Sequence, residues 1–192
     1  PRKLPVESER EFRGRGIHYC ATCDGALYSD ANVIVVGGGT SAVEESLFLT
    51  RYAKNITVVN RSTEFKASRS SVDELLKNPQ INVLWNTEVK EVSGQNFVQK
   101  VKLVNNKTGE IKEMDIDGIF VYIGMVPNTS LYKDVLNLSE YGYIITDNNM
   151  ATNIPGIFAA GDIRDKEIRQ ITTAVGDGTI AGIMAERYVA QK

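Results

Sequence analysis

Three consecutive glycines, Gly37-Gly38-Gly39, stand between a short all-apolar run and a stretch whose apolar residues repeat at helical spacing. The run at residues 32–36 reads as a parallel strand buried on both faces. Thr40, Ser41 and Ala42 complete a G-x-G-x-x-A pattern. Gly37 allows the tight turn, Gly39 lets the backbone approach a ligand, and Ala42 keeps helix and strand close. Ala42, Val43, Leu47, Phe48 and Leu49 mark one face of a helix over residues 41–52, with Glu44 and Glu45 expected in its first turn. Residues 56–59 form the next strand, so 32–59 reads as a βαβ unit. A bare glycine triplet also fits a plain turn; the strand, helix and strand around it favour a helix N-terminus that holds the phosphates of a dinucleotide.

The rest of the chain is consistent with an α/β fold. A helix is expected over residues 71–77 and a strand over 81–84. Strands 100–104 and 111–114 flank a polar hairpin loop, and a strand at 118–123 ends at Gly124 and Pro127. Residues 1–16, polar and broken by Pro and Gly, read as a lead-in linker. Beyond a boundary near 124–128 the chain is loop-rich, with a strand expected at 157–160 and a helix at 171–189. At 192 residues, 42% hydrophobic and 24% charged, the sequence has the balance of a globular protein of one domain or two small ones. A net charge of −2 gives no basic field for nucleic acid or an anionic membrane. No apolar run approaches the roughly 18 residues of a bilayer span, and no signal peptide opens the chain. It begins at Pro1 without a methionine, which points to a fragment or a processed chain.

Cys20 and Cys23 are the only cysteines. One pair cannot staple a chain of this size, and Cys-x-x-Cys beside an α/β pattern reads as redox chemistry in a reducing compartment such as the cytoplasm. One thiolate attacks a partner's disulfide and the other resolves the mixed disulfide. Asp24, next in sequence, is placed to move a proton. Zinc is a competing reading, but His18, the only histidine, brings the N/S ligands to three at most. An inert structural disulfide is another. At the end of the second strand, the position for a carboxylate on the ribose holds Asn60, followed by Arg61, with Lys66 and Arg69 nearby. These cations favour the 2′-phosphate of NADP, although Glu64 lies among them and solvated surface charges are the plain alternative. Asp162, after Ala159-Ala160-Gly161, could bond a ribityl or ribose hydroxyl, or simply cap a helix. Arg169-Gln170-Ile171 could hold the edge of a flavin ring, or form an ordinary helix start.

In this order the pieces resemble the low-molecular-weight thioredoxin reductases. The residues that carry the resemblance are Cys20-Ala21-Thr22-Cys23-Asp24-Gly25, Gly37 through Glu45, Gly124 with Pro127-Asn128, Pro155 through Asp162, and Arg169-Gln170. It spans essentially the whole chain. It implies a flavoenzyme that passes electrons from a pyridine nucleotide through FAD to the Cys-x-x-Cys disulfide and then to thioredoxin. The implied fold has a Rossmann-like three-layer nucleotide-binding domain with a short β-meander at 1–124. Residues 125–192 would be the C-terminal remnant of a discontinuous FAD domain. Cys23 would face the flavin, Cys20 would attack thioredoxin, and Asp24 would be the general acid/base. Gly37, Gly38, Gly39, Thr40, Ser41, Ala42, Arg61 and Lys66 would bind NADP; Gly161, Asp162, Arg169, Gln170 and Ile171 would bind FAD; Gly124, at the domain boundary, would be a further cofactor-binding residue. A rotation between the domains would present the flavin to the dithiol and to the nicotinamide in turn. A cytoplasmic homodimer, with no nucleic-acid or membrane partner, completes the expectation.

Two departures from the family stand out. The resemblance implies that the N-terminal half of the FAD domain would precede Pro1, so residues 125–192 without it should expose apolar surface and hold FAD poorly. NADPH-using members carry a His-Arg-Arg run and a further Arg, where this chain has Asn60-Arg61-Ser62 and Lys66. One guanidinium is lost and another becomes a point charge, which weakens a bidentate grip on phosphate. The alternatives are the same scaffold with a donor such as ferredoxin or another disulfide partner, and a non-catalytic nucleotide-binding redox sensor. The Gly161-Asp162 and Arg169-Gln170 tail argues against the sensor.

Overall fold

Alternation along three short strands explains the architecture. Val33, Val35, Ile56, Val58 and Phe120 bury one face, against helices; Ile34, Val36, Val59, Ile119 and Val121 bury the other. A strand apolar on both sides is stable only between two covering layers. The structure is a computed structural model that describes residues 1–191. It divides into two compact units, Pro1–Gly124 and Met125–Lys192.

The first unit runs α1 (Glu9–Phe12), β1 (Ile17–His18), α2 (Ala21–Asp24), a 3-10 turn (Gly25–Tyr28), β2 (Asn32–Val36), α3 (Thr40–Leu49), β3 (Asn55–Asn60), α4 (Arg69–Lys77) and β4 (Ile81–Trp85). Then come β5 (Thr87–Gly94), β6 (Val98–Asn105), β7 (Ile111–Asp115) and β8 (Gly118–Val121). Strands β1, β8, β2, β3 and β4 pair in that order, all parallel. The helices α3 and α4 supply Ala42, Val43, Leu49 and Leu75 to one face. The antiparallel meander β5-β6-β7 supplies Val89, Val92, Val98, Val101 and Leu103 to the other. This is the three-layer α/β arrangement with a β-meander that the sequence implied.

Several expectations are corrected. Residues 1–16 are ordered rather than a linker: Leu4 and Phe12 are buried, and the Arg2 amide donates to the Gly124 carbonyl at 2.9 Å. Strand β5 had no counterpart in the sequence reading, because its pattern of buried positions is broken by a register shift between Val89 and Glu91. Helix α3 starts one residue earlier than expected and ends at Leu49, so its first turn contains no acidic residue and Glu44 and Glu45 fall in the second.

In the second unit, Leu136, Ile144 and Ala159 form a small core with Leu138, Ile154 and Ile163 around it. The strand expected at 157–160 is replaced by a single bridge, Ala151 to Phe158. No named strand of the second unit is there for this apolar run to pair with among the described residues. The long helix α5 (Ile171–Ala190) buries none of its residues, and Ile171, Val175, Ile183 and Val189 are exposed. The expected exposure of apolar surface is met here. Among the described residues no helix is long and apolar enough to cross a membrane.

Candidate active site

Because the strands of the large sheet are parallel, the segments that leave their C-terminal ends lie along one edge. Cys20 and Cys23 follow β1, the glycine loop follows β2, Asn60 and Arg61 end and follow β3, and Tyr122 follows β8.

Cys20 and Cys23 form a disulfide, with Cα atoms 5.3 Å apart. Cys20 is the N-cap of α2, and its Sγ accepts from the Cys23 amide at 3.2 Å. Cys23 is exposed and Cys20 half-buried, so the pair is open to exchange. From beneath, the Ala21 amide donates to the Tyr122 hydroxyl at 2.6 Å. Burial, with Glu45 next to it, holds the Tyr122 phenol above its usual range. Burial also raises the Glu45 carboxyl, and its Oε2 has no hydrogen-bond partner.

Asp24 ends α2. Its Oδ2 lies 2.9 Å from His18 Nδ1, and His18 Nε2 lies 2.7 Å from the Tyr28 hydroxyl. The imidazole is buried and stacks on Phe120, which Tyr28 meets edge-on. Burial, with Asp24 and Asp117 nearby, pushes the Tyr28 phenol up to about 12. Thus both sulfurs are bonded to each other, and both ring nitrogens of His18 are engaged, rather than converging as a ligand set. His18 and Tyr28 are the residues that the sequence left unassigned to redox chemistry. A lone histidine six residues before Asp24 was a weak signal, since only the turn after β1 brings it back to that carboxylate. Tyr122 gave none, being 101 residues from Ala21.

The glycine loop is built for close approach. A Cβ on Gly37, at φ +150°, would strike the Tyr122 carbonyl, and one on Gly38 would come within 2.5 Å of Asn60 Oδ1. A Cβ on Gly39 would meet nothing within 4 Å. Gly39 is the N-cap of α3 and no side chain caps that end. With no carboxylate in the first turn, its amides are left for an anion, which fits a dinucleotide pyrophosphate. The Lys66 amide donates to the Gly38 carbonyl at 2.6 Å, which ties the stretch carrying Arg61 and Lys66 to the loop. Both side chains are exposed. Asn60, read from sequence as the ribose position, is buried instead. Its amide donates to the Glu64 carbonyl at 2.9 Å and its Oδ1 accepts from the Ser62 amide at 3.0 Å, so it braces the loop.

In the second unit, Gly161 opens a 3-10 turn (Gly161–Ile163), and its amide donates to Asp177 Oδ2 at 3.0 Å. Asp162 is exposed. Asp177 also pairs with Arg164 at 3.0 Å and Lys166 at 2.9 Å. Although burial opposes it, hydrogen bonds from Lys166 and Arg164 hold the Asp177 carboxyl below its usual range. The Arg169 guanidinium lies 3.9 Å from the Tyr143 ring centroid, and its Nε is buried without a partner. Gln170 caps α5 through a reciprocal pair of bonds with Thr173, and Ile171 is exposed. A free carboxylate, an orphaned guanidinium nitrogen and an exposed apolar helix start fit one wall of a flavin site. Gly124, at φ +112°, is exposed at the end of the first unit.

Sequence comparison agrees with this geometry. Residues 1–178 match the pyridine nucleotide-disulphide oxidoreductase family, and the chain belongs to that family. A 34.2 kDa protein in the rubredoxin operon of Clostridium pasteurianum is 50% identical over 191 residues, covering 100% of this chain and 62% of that protein. The thioredoxin reductase of Listeria innocua is 46% identical over 191 residues, covering 99% of this chain and 60% of its own length. The crystal structure of thioredoxin reductase from Streptococcus pyogenes superposes with a TM-score of 0.93 at 45% identity, covering 100% of this chain and 63% of that one. The chain therefore spans about three fifths of the length of these relatives.

Proposed function

We infer that this chain is the disulfide-handling part of a thioredoxin reductase, with electrons passing from NADPH through FAD to the Cys20–Cys23 disulfide and on to thioredoxin. The observation that carries this reading is an accessible Cys-x-x-Cys disulfide on the same sheet edge as an uncapped glycine-loop helix. The likeness to proteins named thioredoxin reductase supports it. Residues 1–124 act as the nucleotide-binding domain and 125–192 as the C-terminal segment of the FAD domain. The whole protein works as a cytoplasmic homodimer.

Bound FAD supplies two-electron transfer between a nicotinamide and a disulfide. The amides of Gly38, Gly39, Thr40, Ser41 and Ala42 hold the nucleotide pyrophosphate, with Gly37 making the turn, and Arg61 and Lys66 hold the 2′-phosphate. Gly161, Asp162, Arg169, Gln170 and Ile171 would hold the flavin, and Gly124 would be a further cofactor-binding residue. Cys23 would be the sulfur that takes electrons from the flavin. In the reduced pair, Asp24 takes the proton of the Cys20 thiol as that sulfur attacks one sulfur of the thioredoxin disulfide. A mixed disulfide forms, the partner's S–S bond breaks, and the departing sulfur receives the proton from Asp24. Cys23 then attacks Cys20 Sγ and gives its proton to the second departing sulfur. Two electrons and two protons pass to the partner, and the Cys20–Cys23 disulfide is restored.

The test is an anaerobic titration of the natural full-length chain with NADPH, followed by flavin absorbance. Bleaching that oxidised thioredoxin reverses, with reversal lost when Cys20 and Cys23 are both Ser, is expected. Bleaching by reduced ferredoxin and not by NADPH would move the donor and leave the thiol chemistry standing. A colourless full-length protein would favour the redox sensor.

A further inference from the structure

The deepest unexplained feature beside the disulfide is the buried imidazole of His18. An ionised Asp24 only accepts hydrogen bonds, so the 2.9 Å contact requires a proton on His18 Nδ1. In the neutral ring Nε2 then accepts, and the Tyr28 hydroxyl, 2.7 Å away, is the donor. The phenol stays protonated across the neutral range, because burial and two nearby carboxylates oppose its ionisation. The chain Tyr28 O–H to Nε2 and Nδ1–H to Asp24 Oδ2 therefore selects one tautomer. Stacking on Phe120 fixes the plane of the ring. With Oδ2 occupied, Oδ1 is the oxygen left for a proton, and no other hydrogen bond to this carboxylate forms among the described residues. The arrangement survives protonation of Asp24 at Oδ1, since Nδ1–H continues to donate to Oδ2.

We propose that His18 is a positioning residue for the dithiol chemistry: with its tautomer set by Asp24 and its Nε2 held by the Tyr28 hydroxyl, it holds the Asp24 carboxylate so that Oδ1 carries the proton exchanged with the Cys20 thiol. This rests on the reading of Asp24 as acid/base of the exchanging pair. The groups that face the relay are Asp24 from α2, Tyr28 from the 3-10 turn and uncharged Phe120 from β8. His18 and Tyr28 line an open cleft of about 380 Å³ together with Asp117, just before β8, and Gly16, Leu27 and Phe97; no Lys or Arg among the described residues lines it. Tyr122 feels the Asp24 charge from the end of β8, and Glu45 on α3 bonds to Tyr122.

Two readouts on the full-length chain need no flavin turnover. Histidine-selective ¹⁵N labelling, with the His18 signal identified by its loss in His18→Asn, should show the neutral ring protonated at Nδ1. The rate of exchange between the chemically reduced pair and a small aromatic disulfide should be followed across pH. His18→Ala should slow it by about 10–100-fold, the cost of a misplaced catalytic group, and alter its pH profile. His18→Asn, whose amide can donate to Asp24 in place of Nδ1–H, should recover most of the rate. Tyr28→Phe should keep the proton on Nδ1 but free Nε2 and loosen the ring, giving an intermediate rate. An Nε2-protonated ring in the native chain overturns the proposal. So does a native rate and profile in Tyr28→Phe or His18→Ala while Asp24→Asn is slow. If Asp24→Asn itself exchanges at the native rate, the reading of Asp24 fails and the role of His18 falls with it. Should His18→Ala not fold, judged by near-ultraviolet circular dichroism, Tyr28→Phe and the ¹⁵N spectrum still decide.

Discussion

Gly38 and Asn60 press against each other where the glycine loop meets the end of β3. Gly38→Ala must displace the Asn60 side chain, which is held at both ends, and overpacking of this kind costs about 1–3 kcal/mol. Denaturant unfolding should register that loss together with weaker NADPH binding. Asn60→Asp tests the two views of position 60. A ligand role predicts better use of NADH. The brace predicts a buried carboxylate with no N–H to offer the Glu64 carbonyl, and about 1–3 kcal/mol of lost stability. Destabilisation with no gain for NADH is the expected outcome. Arg61→Ala and Lys66→Ala should each raise the KM for NADPH and leave kcat for the dithiol steps unchanged, as checked by steady-state kinetics with varied nucleotide.

Helices α3 and α5 differ in what secures their N-terminal ends. Gln170 and Thr173 cap α5, whereas α3 begins at a glycine with no side-chain cap. An unsatisfied helix start weakens a fold unless an anion fills it. Further along α5, Asp177 ties the helix to the Gly161 amide and to the largely buried side chains of Arg164 and Lys166. Its carboxyl is lowered, so the stability it contributes is present above the ordinary carboxylate range and is lost as pH falls through the lowered value. Amide protection in α5, taken relative to the intrinsic exchange rate at each pH, should therefore fall in acid. Asp177→Asn leaves buried Arg164 and largely buried Lys166 short of a counter-charge and should cost about 1–3 kcal/mol. Amide exchange near neutral pH should then already be fast in that variant, and slow exchange there would contradict the assignment.

Across the whole molecule, the two units are stabilised differently. The first has two apolar cores on either side of a five-stranded sheet; the second has one small core and a helix exposed along its length. The isolated chain of residues 1–192 should bind a hydrophobic dye through α5, and Val175→Ser with Ile183→Ser should reduce that binding, as read by fluorescence. The sequence by itself determined the βαβ unit at 32–59, the meander hairpin and the Cys-x-x-Cys, because each depends on periodicity or spacing within a few residues. Only the tertiary structure decided which groups surround the disulfide. His18 reaches Asp24 and Tyr28 through the turns after β1, Tyr122 reaches Ala21 because β8 pairs with β1, and Asn60 turns inward because Gly38 leaves it room. The helix start at Thr40 and the bridge in place of a strand at 157–160 were likewise beyond local pattern. Spacing along the chain fixes which backbone bonds are local. The partners of a side chain are set by strand order and parallel register, which the whole sheet decides at once.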